Sequence, residues 1–209
     1  MTETFFVDVW SDVVCPFCYL GTRQLSAALD EFDHRDDVVL RHRAFELDAH
    51  APATYDLALD EQLAAKYSMP IERAHSLHER LESDAAALGM TWSMKKARPS
   101  NTFDAHRLIA LATTQDLGAA TSERLFRAYF SEGELLSDRD ALESLGADVG
   151  VSDVARLWDS NVFSTDVRHD QQRANELGIT GVPTLLLDDK FMVVGAQGSD
   201  QMLDVLTRA

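Results

Sequence analysis

The feature that most constrains this chain is one short unit, Cys15-Pro16-Phe17-Cys18, set between a run fit for a buried strand and a run fit for a helix. Thr4 to Trp10 is apolar, β-branched and aromatic, whereas Leu25, Ala28, Leu29 and Phe32 recur at helical spacing. The unit holds both cysteines of the chain. A bridge across so short a loop removes little chain entropy, so the pair points to reactivity rather than to stapling. A strand, a short connection and Cys-x-x-Cys opening a helix is a layout for redox chemistry.

The reason for that layout is electrostatic. A thiolate, not a thiol, attacks a disulfide, and a helix N-terminus offers unpaired N–H groups and a partial positive charge that favour it. Cys15 sits at that end and is assigned as nucleophile. Cys18, one turn on, is assigned as the resolving cysteine. Pro16 suits the first helical turn, where its missing N–H costs nothing. Phe17 adds an apolar side chain and no charge. Trp10 is expected to end the strand against the site, and Asp12, like Asp8, to place a carboxylate near it that opposes thiolate formation. A zinc site is the competing reading, but it needs four ligands, no second cysteine pair exists, and His75 and His78 share a helical face with nothing tying them to Cys15.

Val38 to Phe45 reads as a second strand and closes a βαβ unit. From about Asp56 the period turns helical and stays so for over a hundred residues. Ile71, Ala74, Leu77, Leu81, Ala85 and Leu88 form one apolar stripe; Leu125, Phe126, Tyr129 and Phe130 form another, ended by Gly133. Ser137 with Asp140 resembles a helix start, and Asn101 with Asp104 is a capping pattern. Strands return late: Thr184–Leu187, a turn at Asp188 and Asp189, and Phe191–Val194 predict a β-hairpin, followed by a helix from Ser199. Pro183, at the start of a strand that should be internal, predicts a cis bond after Val182. In that geometry the Val182 backbone would lie beside Cys15 and could pair with an extended substrate segment. His106, with Phe103 and Ile109 on one helical face, reads either as a buried structural histidine or as a group beside Cys15 that tunes its thiol.

With 209 residues and a formal net charge of −16, the chain is long enough for a core carrying an inserted domain, and its charge argues against nucleic-acid binding. No run approaches the roughly 20 apolar residues that span a bilayer, and none reads as a secretion signal, so we expect a cytoplasmic protein without a membrane partner.

Together VDVWSDVVCPFCYLG, SNTFDAHRLIALA (residues 100–112), FRAYFSEG (126–133) and GITGVPTLLLDDKFMVVGAQ (178–197) resemble the DsbA family, and more narrowly its FrnE-like branch, over essentially the whole chain. The resemblance implies an α/β, thioredoxin-like fold with an all-helical domain inserted between an N-terminal βαβ unit and a C-terminal ββα unit. The expected boundaries are 1–50 and 165–209 for the core and 51–164 for the insertion. It implies disulfide oxidoreductase or isomerase activity on thiol- or disulfide-bearing proteins through a Cys15 nucleophile and a Cys18 partner, with a cis Pro183; our own expectation places Pro16, Phe17, Val182 and Pro183 at the substrate site. No cofactor or metal is expected, with glutathione a candidate redox partner and a homodimer a candidate assembly. Some FrnE-like proteins carry a further cysteine pair near the C-terminus; this chain has none, which leaves no internal relay. Two other readings keep the fold: a glutathione-dependent transferase or isomerase of the kappa-class or chromene-carboxylate type, and a non-catalytic peptide-binding or chaperone-like module.

Overall fold

The computed structural model describes residues 4–209, which fall into two compact units: one runs up to Leu47 and includes Asp166–Ala209, and the other is Asp48–Thr165. The first unit is built on a four-stranded sheet of order β2-β1-β3-β4. Strand β1 (Phe5–Ser11) is followed by helix α1 (Pro16–Glu31) and strand β2 (Val38–Ala44), parallel to β1.

Strand β1 is central and both its faces are covered. Val7 and Val9 point into a core with Leu25, Ala28 and Leu29 of α1, while Trp10 belongs to a second cluster on the other face. Covering both faces explains why β1 reads as a nearly continuous apolar run. Its one charge, Asp8, is 3% exposed and therefore needs partners. Arg41 and Arg43 of β2 supply them, with Nε–Oδ1 distances of 2.9 and 2.6 Å.

The second unit is helical. It contains α2 (Leu59–Tyr67), α3 (Ile71–Ala87), α4 (Phe103–Thr113), α5 (Gly118–Arg127) and α6 (Arg139–Asp148). The expected α3 stripe is corrected: Ile71, Leu77 and Leu88 are exposed, and the packed residues are Ala74, His78 and Ala85. The His78 imidazole is tied to Asp60 of α2. Leu125, Phe126, Tyr129 and Phe130 are all buried as expected, but α5 passes into a π-helical turn, Ala128–Glu132, before Gly133 ends it at φ 81°. Phe130 stacks on Trp92 at 4.7 Å between centroids. Helix α6 is capped by Asp138, whose carboxylate accepts from Asp140 and Ala141 N–H; Ser137, the expected cap, instead donates to the Ala53 carbonyl. The α4 cap is Thr102, with the Asn101 side chain accepting from Phe103 N–H.

Helix α7 (Ser164–Glu176), which the sequence pattern does not reveal, leads back into the first unit. There β3 (Thr184–Leu187), antiparallel to β1, and β4 (Phe191–Val194) make the expected hairpin. Asp188 and Asp189 take positive φ in its turn, and α8 (Ser199–Arg208) closes the chain. Met202 and Leu206 of α8 join the core under α1.

Candidate functional site: the Cys15–Cys18 dithiol

Three segments of the first unit build this site. The β1–α1 connection turns at Asp12, whose carbonyl accepts from Cys15 N–H at 3.0 Å. The segment after β2 holds that turn in place: Phe45 N–H donates to the Ser11 carbonyl, and Leu47 N–H to the Asp12 carboxylate at 2.8 Å. Cys15 is then the N-cap of α1, extended at φ −91°, ψ 116°, with Pro16 opening the helix. The Cys15 carbonyl accepts from Cys18 and Tyr19 N–H, so the thiol rides directly on the first turn. From the opposite side comes the β3 approach, Gly181–Thr184, in which the Val182–Pro183 bond is cis. The Cys15 Sγ donates to the Val182 carbonyl at 3.6 Å.

Both thiols are free and buried, Cys15 at 4% exposure and Cys18 at 0%. The Cys18 thiol is pushed well above the usual cysteine range, first by burial, then by its hydrogen bond to Cys15 and by the Cys15 charge. An Asp12 backbone hydrogen bond pulls the other way, while the Asp12 carboxylate adds to the upward push. Asp12 itself is 1% exposed.

Trp10 packs in a cluster with Leu186, Ile179, Ala174 and the half-buried Val182, and its indole N–H donates to the Asp170 carbonyl of α7 at 3.0 Å. Asp170 in turn receives Ala44 N–H and Arg43, although burial still holds its carboxyl above the ordinary range. Phe17 stands 53% exposed beside the buried dithiol. The first unit therefore gathers Asp12, Cys15, Pro16, Phe17, Cys18, Trp10, Val182 and Pro183. His106 lies on α4 in the helical unit, 4% exposed. Among the described residues no group of three or more His, Cys, Asp or Glu side chains could hold a metal ion, and no helix is long and apolar enough to cross a membrane.

Sequence reasoning passes over one residue of the site, Gly21. It is buried in α1, one turn past Cys18, with the Pro183 ring lying against it. A glycine inside a helix costs about 0.5–1 kcal/mol relative to alanine, and that local disadvantage is the signal available from sequence.

A dithiol at a helix start, opposed by a proline loop and set on a β-α-β / β-β-α sheet, defines a thioredoxin fold carrying a helical unit. The particular family follows from comparison: the DSBA-like thioredoxin domain matches residues 6–207, and the chain belongs to that family. It is similar to YwbO of Bacillus subtilis (strain 168), at 26% identity over 204 residues, 94% of this chain and 93% of that protein. Among solved structures it is similar to a probable DsbA oxidoreductase, SCO1869 of Streptomyces coelicolor, with TM-score 0.93 and 33% identity over 98% of this chain and 89% of that one. A 2-hydroxychromene-2-carboxylate isomerase shares the fold at TM-score 0.71 and 19% identity, over 97% of this chain and 93% of that one.

Proposed function

We propose that this chain is a thiol–disulfide oxidoreductase, with isomerase capacity, acting on protein disulfides in the cytoplasm and exchanging electrons with glutathione. The observation that carries the reading is the pairing of Cys15, at the N-cap of α1 and facing the Val182 carbonyl, with a Cys18 thiol held protonated behind it.

The raised Cys18 pKa supports a definite order of events. In the reducing direction the Cys15 thiolate attacks a substrate disulfide, forming one mixed disulfide and releasing one substrate thiolate, which takes up a proton. The Cys15 charge is one cause of the raised Cys18 pKa, and bonding Cys15 to substrate removes both that charge and the Cys15 hydrogen bond. Cys18 then gives up its proton more readily, attacks Cys15, and releases the second substrate thiolate as the Cys15–Cys18 disulfide forms. Two electrons pass from the dithiol to the substrate. Run backwards, the same steps oxidise a substrate dithiol. In the isomerising direction the released substrate thiolate attacks elsewhere before Cys18 does, and no net electrons move.

Val182 suits a docking role because an extended peptide could pair with its backbone as an added strand. Exposed Phe17 offers an apolar side chain next to Cys18.

A peptide containing one disulfide and a fluorescent pair tests the reading. The expected result is that Cys15→Ser abolishes turnover, whereas Cys18→Ser accumulates a covalent Cys15–peptide adduct, seen by mass under non-reducing conditions. Turnover that survives Cys15→Ser would overturn the proposal. Glutathione-dependent turnover fully retained in Cys18→Ser would point instead to a conjugating or isomerising glutathione enzyme.

A further inference from the structure

We propose that Gly21 is a positioning residue of the redox site: its lack of a side chain lets the Pro183 ring seat on α1 and thereby sets the Val182 carbonyl against the Cys15 sulfur.

Gly21 has an ordinary helical backbone, so no conformational need selects glycine there. The need is spatial. A Cβ at Gly21 would lie 3.0 Å from Pro183 Cγ, 3.6 Å from Pro183 Cβ and 3.8 Å from the Ala196 Cβ. The first of these is tighter than a normal carbon–carbon contact, where the optimum is about 3.5–4.0 Å. A flexible side chain could swing aside, but a pyrrolidine ring is fused to its own backbone. That backbone is held on both sides: the Pro183 carbonyl accepts from Gly195 N–H at 2.7 Å, and the Thr184 hydroxyl donates to the Gly181 carbonyl at 2.8 Å. Thr184 is also registered with Trp10 and Val194 in the sheet. A methyl group on residue 21 therefore moves the Gly181–Pro183 loop as a piece. Cys15 and Gly21 ride on the same helix, so pushing the loop off Gly21 draws the Val182 carbonyl away from Cys15 Sγ, now 3.6 Å off.

Two consequences are separable. The Val182 carbonyl accepts from the neutral Cys15 thiol, so loss of that contact favours the thiolate. The same displacement moves the backbone edge on which a substrate segment would pair, and this second consequence rests on the function proposed above.

The test compares Gly21→Ala, Pro183→Ala and the double variant, with Ala27→Gly on the exposed face of α1 as a control for helix stability. The first readout is the pH dependence of Cys15 alkylation by iodoacetamide in a Cys18→Ser background, which needs no turnover. Gly21→Ala is expected to move the midpoint to lower pH by roughly half to one unit, the equivalent of one ordinary hydrogen bond. It is also expected to raise KM for the peptide disulfide roughly three- to tenfold with a smaller change in kcat. In the Pro183→Ala background, where the ring is gone, Gly21→Ala should do neither. An unmoved alkylation midpoint, an equal shift with and without the ring, or the same shift in Ala27→Gly overturns the proposal. If the wild-type protein fails to turn over the peptide at all, the proposed function falls while the alkylation comparison still decides the role of Gly21.

Discussion

Among single side chains, the half-buried His42 shows how one buried ring nitrogen can shape the behaviour of the protein in acid. It lies on β2 opposite Val9, its Nε2 buried without a hydrogen-bond partner among the described residues. Burial holds its pKa below the usual histidine value of 6.5. In the unfolded chain the ring takes up its proton near that ordinary value, and in the folded protein only at lower pH. The unfolded state therefore binds more protons across that interval, and stability falls as pH drops through about 6.5 toward the folded value. His42→Leu is expected to flatten this decline, read as urea midpoints at pH 7.5 and 5.5. A difference between the two midpoints as large in the variant as in the wild type would remove His42 from the account. Asp170 works with the opposite sign, since a raised carboxyl pKa makes folding less costly as pH falls, so the contrast belongs above the carboxylate range.

At the scale of elements, capping offers the cleanest quantitative expectation. Asp138 satisfies two N–H groups at the start of α6, which Ala cannot do. Asp138→Ala should cost about 1 kcal/mol in unfolding free energy, whereas Ser137→Ala, outside the cap, should leave the α6 start intact. The comparison also shows what the sequence could and could not reveal. The β3–β4 hairpin and the α1 start were legible because their signals are local: a polar turn between apolar runs in one case, a proline at N1 in the other. The Val182–Pro183 geometry was legible from the place of Pro183 at the start of an internal strand, taken together with the distant Cys-x-x-Cys. The packed face of α3 is not the one its apolar stripe predicts because it is made of Ala74, His78 and Ala85, two alanines and a histidine, while the larger Ile71, Leu77 and Leu88 are exposed. Helix α7 escaped notice because only Val167 and Ala174 of its residues are buried, too few for an apolar stripe. The π-helical turn after α5 keeps the apolar pattern of an ordinary helix, so nothing in the sequence separates the two. Gly21 was visible as a glycine in a helix, but its meaning lies in Pro183, more than a hundred residues away in the chain.

For the whole molecule the dominant physical quantity is charge, and it bears on which disulfides reach Cys15. The formal net charge is −16. Fields of that kind raise or lower encounter rates by about 10- to 1000-fold at low ionic strength and fade as the Debye length shortens from about 30 Å at 0.01 M to about 3 Å at 1 M salt. A dithiol buried at 4% and 0% exposure depends on productive encounters, so the approach should be sensitive to this field. Two peptide disulfides of equal length, one flanked by lysines and one by glutamates, should differ roughly tenfold in kcat/KM at 0.01 M salt, with the cationic one faster, and converge near 1 M. Glutathione disulfide, being anionic, should accelerate with added salt as the glutamate peptide does. The alternative is that local charges at the site outweigh the global balance. In that case the anionic peptide would match or exceed the cationic one at low salt, and the long-range field would have no part in substrate choice. A preference that persisted unchanged at 1 M salt would instead place selectivity in direct contacts around Phe17 and Val182, where screening does not reach.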